Sequence, residues 1–178
     1  MDDVVLTPLT GLGKAETYQE ITRDILAVLD GEPNPVAKMA TCVSLLSGAF
    51  DSWFWTGFYM VDEVKRSAGI DELVIGPYNG TLGCLRIAFG RGVCGAAAAT
   101  RTTQIVADVH AFPGHIACDS RSNSEIVVPV CDADGHLIAV FDVDSERFDN
   151  FDETDQAALE KIMTAVFAAS GLSISTFI

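Results

Sequence analysis

The apolar residues near both ends of the chain recur with the spacing of amphipathic helices. This pattern predicts a first helix over residues 15–29, a second over residues 35–49 that begins after the N-cap Asn34, and a closing helix over residues 151–170. The buried face of the first helix is expected to carry Tyr18, Ile21, Ile25 and Leu29.

Six stretches between these helices have the composition of β-strands. They are residues 52–62, 72–76, 83–90, 103–109, 124–132 and 136–144. Turn residues at Asn79–Gly80 and Asp134–Gly135 predict hairpins between neighbouring strands. Because the long helical crossovers of a parallel sheet are missing, we expect an antiparallel sheet with the helices segregated to one face, an α+β fold.

The length and composition are those of one folded domain. The chain has 178 residues, of which 49% are hydrophobic and 20% charged, so we expect a single domain over residues 1–178, with residues 1–14 as a loosely ordered segment. No run approaches the ~20 apolar residues of a membrane helix, and the start lacks a secretory signal, so the expected compartment is the cytoplasm. The net charge of −14 argues against nucleic-acid and anionic membrane partners.

Five cysteines stand at positions 42, 84, 94, 118 and 131. An odd number, in a chain of this length, argues against a disulfide framework, and no closely spaced pair predicts a zinc site, so no metal is expected. Cys42 and Cys131 are interpreted as packing residues. Cys84, which begins a predicted strand, also looks on its own like a small buried residue.

Cys118 lies in the longest irregular segment, residues 107–123. His115 and Arg121 are each three residues away and either one would stabilise a thiolate by charge, although an unreactive loop thiol fits the spacing equally well. Cys94 follows the glycines of GRGVCG at the predicted start of a short helix. A helix N-terminus lowers a thiol pKa, but a small buried thiol packed among glycines is the alternative.

Three carboxylates interrupt otherwise apolar strands. Asp142 and Asp144 are two residues apart, so both side chains point to one side of a strand, and Glu125 begins the neighbouring strand. Together they predict either a pocket for an ammonium group or an acid of raised pKa that donates a proton. The alternative is a solvated strand end.

The segments GRGVCG, HAFPGHIACDSRSNSEIVVPV, GHLIAVFDVDS and FDETD closely resemble those of the free methionine-(R)-sulfoxide reductases, which are stand-alone GAF-domain enzymes. The resemblance extends to GFYM, to the stretch GPYNGTLGCLRIAFG and to the two leading helices, so it covers nearly the whole chain. It implies a GAF-like antiparallel six-stranded sheet flanked by helices. It also implies a thiol-dependent oxidoreductase that acts in defence against oxidative stress.

By this resemblance Cys118 is the catalytic cysteine, and Cys84 or Cys94 resolves it by forming a disulfide. Glu125, Asp142 and Asp144 match the substrate-binding carboxylates. The aromatic strand that runs from Trp53 to Tyr59 resembles the wall that receives the methyl end of the substrate. The implied reductant is thioredoxin, no cofactor is needed, and homodimers are common among such domains.

Three other functions fit parts of the sequence. A non-catalytic GAF sensor would bind a nucleotide or small metabolite, because one fold hosts many functions. That hypothesis gives Cys84, Cys94 and Cys118 no function. A structural or interaction protein would carry incidental cysteines, and a repair enzyme would act on methionine sulfoxide within peptides.

Overall fold

The structure is a computed structural model that describes residues 6–116 and 118–168. Its α-helices are α1 (Lys14–Val28), α2 (Pro35–Ser47), α3 (Glu63–Ser67), α4 (Gly92–Thr100) and α5 (Glu153–Met163). Its strands are β1 (Trp53–Val61), β2 (Glu72–Asn79), β3 (Arg86–Ala88), β4 (Gln104–Val106), β5 (Ser124–Cys131) and β6 (Leu137–Ser145). A 3₁₀ turn at Val109–Ala111 and a π-helical turn at Thr164–Ala168 complete the described elements.

The six strands form one antiparallel sheet in the order β3-β2-β1-β6-β5-β4. This arrangement confirms the predicted α+β fold and the six-stranded antiparallel sheet. The two longest strands, β1 and β6, lie side by side in the middle, so residues from the two halves of the chain meet at the centre of the sheet.

Helices cover both faces of the sheet. α1, α2 and α5 pack on one face, where Phe58 and Phe141 are fully buried. α4 packs on the other face, against Val127 and Val140. The prediction that the helices segregate to one face is therefore wrong. β1, β5 and β6 are mostly apolar and are buried at almost every position, so each has two faces to remove from water.

The predicted helix ends agree closely with the structure. The N–H of Ala37 donates to Oδ1 of Asn34 at 3.0 Å, which confirms the N-cap of α2. The last two residues of the predicted closing helix, 169–170, lie outside the described residues, as do residues 1–5 of the predicted N-terminal segment. Within the described part of the chain, no helix has both the length and the apolar character needed to cross a bilayer.

The connection between β2 and β3 differs from the prediction. Instead of a tight hairpin at Asn79–Gly80, residues 80–85 form a loop, and β3 is only three residues long. The indole Nε1 of Trp55 donates to the carbonyl oxygen of Thr81 at 2.9 Å and holds this loop against the sheet. Cys84 consequently lies in a loop and not at the start of a strand.

Candidate active site

A disulfide joins Cys84 in the 80–85 loop to Cys118 in the irregular segment before β5, with a Cα–Cα distance of 5.6 Å. Cys84 packs against the apolar core on the sheet face that α4 covers. Cys94 and Cys118 line a cavity there of about 40 Å³. Three cysteines far apart in sequence thus meet at one place, and two of them are bonded.

The three predicted carboxylates line the same cavity. Glu125 on β5 is the direct partner of Asp144 on β6, and Asp142 lies two residues before Asp144 on the same face. Glu125 and Asp142 are buried, whereas Asp144 is partly exposed and accepts a hydrogen bond from the Ser122 hydroxyl. The convergence expected from the strand pattern is present.

These carboxyl groups hold their protons more tightly than ordinary carboxyl groups do. Burial raises the pKa of Glu125 and of Asp142 well above their usual values, and the neighbouring carboxylates raise both further. Burial also raises the pKa of Asp144 to about 6, against the opposing effect of the Ser122 hydrogen bond. A buried acid that is protonated at neutral pH is suited to protonate a leaving oxygen.

Cys94 is the third residue of α4. Its side chain is buried, and Sγ donates to Oε1 of Glu125 at 3.8 Å. Burial raises the pKa of this thiol, and the charges of Asp142 and Glu125 raise it further. Of the two interpretations of Cys94, the small buried thiol agrees with the structure and the lowered pKa does not, since desolvation and two adjacent acids outweigh the helix dipole.

Two basic residues flank Cys118 in sequence, but neither presents an uncompensated positive charge to it. The Arg121 guanidinium pairs with Asp119 at 3.0 Å and with Glu146 at 3.3 Å, and it stacks over the Phe54 ring at 4.8 Å. His115 lines the cavity, and burial lowers its pKa, with His110 adding to the shift. A neutral imidazole at this position is able to accept a proton from a thiol.

The aromatic wall of the cavity includes Trp55 and Tyr59, whose rings stack with centroids 5.7 Å apart. Trp53 lies in the core on the opposite face, stacked on Phe50. Trp53 is therefore not a pocket residue, and that prediction is corrected. The cause is a break in the β1–β6 register between Trp53 and Trp55, which turns the two indoles to opposite faces.

Two glycines leave room for the side chains of the aromatic wall. A Cβ on Gly57 would stand 2.6 Å from the Trp55 ring, and a Cβ on Gly83 would stand 2.8 Å from the Tyr59 hydroxyl. Our sequence reasoning missed both glycines and Ser122. Gly57 in the middle of an aromatic strand was the available signal, because glycine in a strand often marks a close approach.

Comparisons with known proteins agree with this geometry. The GAF domain family profile matches residues 41–169. The free methionine-R-sulfoxide reductase of Escherichia coli is 40% identical over 152 residues, which is 85% of this chain and 87% of that protein. The enzyme of the same name from Saccharomyces cerevisiae is 39% identical over 157 residues, or 86% of this chain and 85% of that one.

The chain belongs to the GAF-domain free methionine-R-sulfoxide reductase family. A solved member from Neisseria meningitidis, in complex with its substrate, is 46% identical, with a TM-score of 0.82 over 96% of this chain and 98% of that chain. This membership fits a thiol oxidoreductase that carries a disulfide in the wall of its pocket.

The carboxylate cluster is expected to cost this reductase-family protein stability. The folded-state pKa of Asp144, about 6, exceeds the ordinary 3.8, so its stabilising contribution is present below pH 3.8 and is lost as the pH rises through 6. Asp144→Asn should therefore raise the melting temperature at about pH 7.5 by roughly 3 °C, or about 1 kcal/mol, and by less at about pH 4.5.

Thermal melts followed by circular dichroism at both pH values measure this difference. Asp134→Asn alters a carboxylate in the exposed β5–β6 turn. It is the control that measures how much an Asp-to-Asn substitution outside the cluster changes the melting temperature. An Asp144→Asn effect of the same size at both pH values would contradict the prediction.

Proposed function

We propose that this protein reduces free methionine-(R)-sulfoxide to methionine, with Cys118 as nucleophile and Cys84 as the cysteine that resolves it. The observation that carries the proposal is the Cys84–Cys118 disulfide beside a cavity lined by three carboxylates. The curated relatives named for this activity support it.

In the first step the Cys118 thiolate attacks the sulfoxide sulfur. A protonated carboxyl from the cluster hydrogen-bonds to the sulfoxide oxygen and polarises the S–O bond, and burial, which raises the pKa of Glu125 and Asp142 well above their usual values, favours such a protonated form. The carboxyl gives its proton to this oxygen. The substrate S–O bond breaks as the oxygen moves to the Cys118 sulfur, and the transient bond between the two sulfur atoms opens. Methionine leaves, and Cys118 becomes a sulfenic acid that carries the oxygen.

In the second step the Cys84 thiol attacks the sulfenic sulfur of Cys118. A disulfide forms and the oxygen leaves as water. An external dithiol then exchanges with this disulfide, is itself oxidised, and returns both cysteines to thiols. We propose thioredoxin as that dithiol and the cytoplasm as the compartment. The scheme uses no metal or organic cofactor.

The same cavity accounts for the choice of a free amino acid. Deprotonated members of the Glu125, Asp142 and Asp144 cluster would pair with the α-ammonium group, which a peptide-linked residue lacks. The first N–H groups of α4, which begins at Gly92 in the cavity wall, have no acceptor within the helix and would receive the α-carboxylate. The apolar faces of Trp55 and Tyr59 would contact the methyl end.

A substrate comparison tests this function. The reduced enzyme, recycled by thioredoxin, is given the R and S epimers of methionine sulfoxide, each as the free amino acid and as its N-acetyl derivative. We expect methionine from the free R epimer and at least about tenfold lower kcat/KM for the other three, because each loses a charge pair or the fixed orientation of the sulfoxide.

The outcomes separate the alternatives. Comparable turnover of the N-acetylated R epimer would favour a peptide-repair enzyme. Binding of the free sulfoxide without loss of thiols would favour a sensor. Absence of both binding and turnover would favour a structural protein.

A further inference from the structure

Cys94, Glu125 and Asp142 form a group of potential metal ligands on the floor of the cavity. One ligand atom from each residue lies within 4.8 Å of those of the other two, although the residues come from α4, β5 and β6. All three are buried. The proposed reaction uses Glu125 and Asp142 only as hydrogen-bonding and charged groups and assigns Cys94 no necessary step.

The spacing of these atoms suits one small cation. Sγ of Cys94 lies 3.8 Å from Oε1 of Glu125. A sulfur and an oxygen bound to one tetrahedral zinc ion lie roughly 3.5 Å apart, given bonds of about 2.3 and 2.0 Å. A cation between the two atoms therefore requires only small side-chain rotations.

A second observation points to a ligand at this place. Oδ1 of Asp142 is buried and has no hydrogen-bond partner in the part of the chain that the structure describes. An unsatisfied buried carboxylate oxygen is costly, and a cation is one group that would satisfy it. The Asp142 side chain also lines the cavity, so a cation that enters the cavity reaches it.

We propose that Cys94, Glu125 and Asp142 bind a thiophilic divalent cation of the zinc class, which displaces the protons of these three groups into solvent. The three residues supply one sulfur and two oxygen ligands, and the cavity leaves the fourth position to water. This is the three-ligand, open form of a zinc site. The net charge of −14 raises the local concentration of cations around the protein.

Bound cation would occupy the place proposed for the substrate ammonium group. If the proposed function holds, the cation is therefore a competitive inhibitor of the free sulfoxide. Binding itself does not depend on that function, because the cation needs only the three side chains. The two claims can thus fail separately.

A second acidic group is a suitable control for this site. Asp132, Asp134 and His136 also lie close enough to share an ion. Oδ1 of Asp132, however, accepts hydrogen bonds from the N–H groups of Asp134 and His136 at 3.0 and 2.8 Å. These bonds explain Asp132 as a residue that stabilises the turn. His136→Asn alters this group without touching the cavity.

The binding test uses the oxidised protein, in which the Cys84–Cys118 disulfide removes two competing thiols. The protein is titrated with Cd²⁺, whose bond to a thiolate gives an ultraviolet charge-transfer band, and Zn²⁺ is measured by competition with a chromogenic chelator. We expect one equivalent bound with the thiolate band. Cys94→Ser should remove the band and weaken binding about tenfold or more, and Glu125→Gln should weaken it similarly.

Cys131→Ser and His136→Asn are the matched controls and should leave both the band and the affinity unchanged. Circular dichroism melts verify that each variant is folded. If Cys94→Ser does not fold, Glu125→Gln serves as the site variant. Binding that survives in both site variants, or that is lost in either control, would overturn the proposed site, as would the absence of a thiolate band in the parent protein.

A second arm measures initial rates of sulfoxide reduction at several concentrations of free Zn²⁺. We expect KM to rise with kcat unchanged. If a thiolate band forms in the titration but the enzyme shows no turnover without zinc, the proposed function fails while the cation site stands.

Discussion

Replacing Cys118 by serine is expected to abolish methionine formation from free methionine-(R)-sulfoxide. The hydroxyl is far less nucleophilic than the thiolate and cannot form a sulfenic acid or a disulfide. We expect kcat/KM to fall by a factor of about 10³ or more. Methionine is quantified by chromatography from the reduced enzyme with thioredoxin as recycling system.

Cys131→Ser is the matched control, because Cys131 is a free, partly exposed cysteine at the end of β5. It should retain parent activity. Isothermal calorimetry with the Cys118→Ser variant should still detect sulfoxide binding, because the carboxylates and the aromatic wall remain. Methionine formation by Cys118→Ser within about tenfold of the parent rate would remove Cys118 from the nucleophilic role.

Replacing Cys84 by serine is expected to leave the first turnover intact and to stop the cycle. The Cys118 sulfenic acid would form, but its bonded partner in this structure would be missing. We expect a burst of about one methionine per active site, followed by a steady rate that is lower by about tenfold or more with thioredoxin as reductant. Rapid quenching and trapping with dimedone, detected by mass spectrometry, would locate the sulfenic acid.

Cys94→Ser is the comparison that assigns the roles of the two candidate resolving cysteines. Cys94 is buried at 4% exposure and its pKa is raised, so it is a poor attacking thiol, whereas Cys84 lies in a partly exposed loop. Cys94→Ser should therefore cycle at a rate near that of the parent. Normal cycling by Cys84→Ser together with a burst from Cys94→Ser would reverse the assignment.

Much of the fold could be predicted from the sequence because the local patterns agree with the tertiary structure. The helical spacing of Tyr18, Ile21 and Ile25 places all three in the core beneath α1. The hairpin signal at Asp134–Gly135 is confirmed, since the N–H of Gly135 donates to the carbonyl oxygen of Asp132 at 3.1 Å and the glycine has a φ of 79°. Turn chemistry and periodicity depend on a few neighbouring residues, so one sequence is enough to read them.

The wrong predictions concern features that are determined by contacts between residues distant in sequence. The position of α4 on the second face follows from the apolar residues on both sides of β5 and β6, and no local signal in α4 itself reveals it. Trp53 and Trp55 look equivalent in an alternating strand, but the register break between them sends only Trp55 into the cavity. The loop that carries Cys84 is held by the Trp55 hydrogen bond to Thr81, twenty-six residues away in sequence.

The sequence by itself determined the order of the strands along the chain, the alternation that places Asp142 and Asp144 on one face, and the family, through motifs that surround Cys94 and Cys118. Only the tertiary structure decided that Cys84 is bonded to Cys118, that Trp55 and not Trp53 lines the cavity, and that Cys94 contacts Glu125. Those facts depend on the burial and spacing of groups from separate strands, helices and loops. Desolvation and Coulomb energies are set by three-dimensional distance, so the protonation of this cluster follows from the packing of the folded chain.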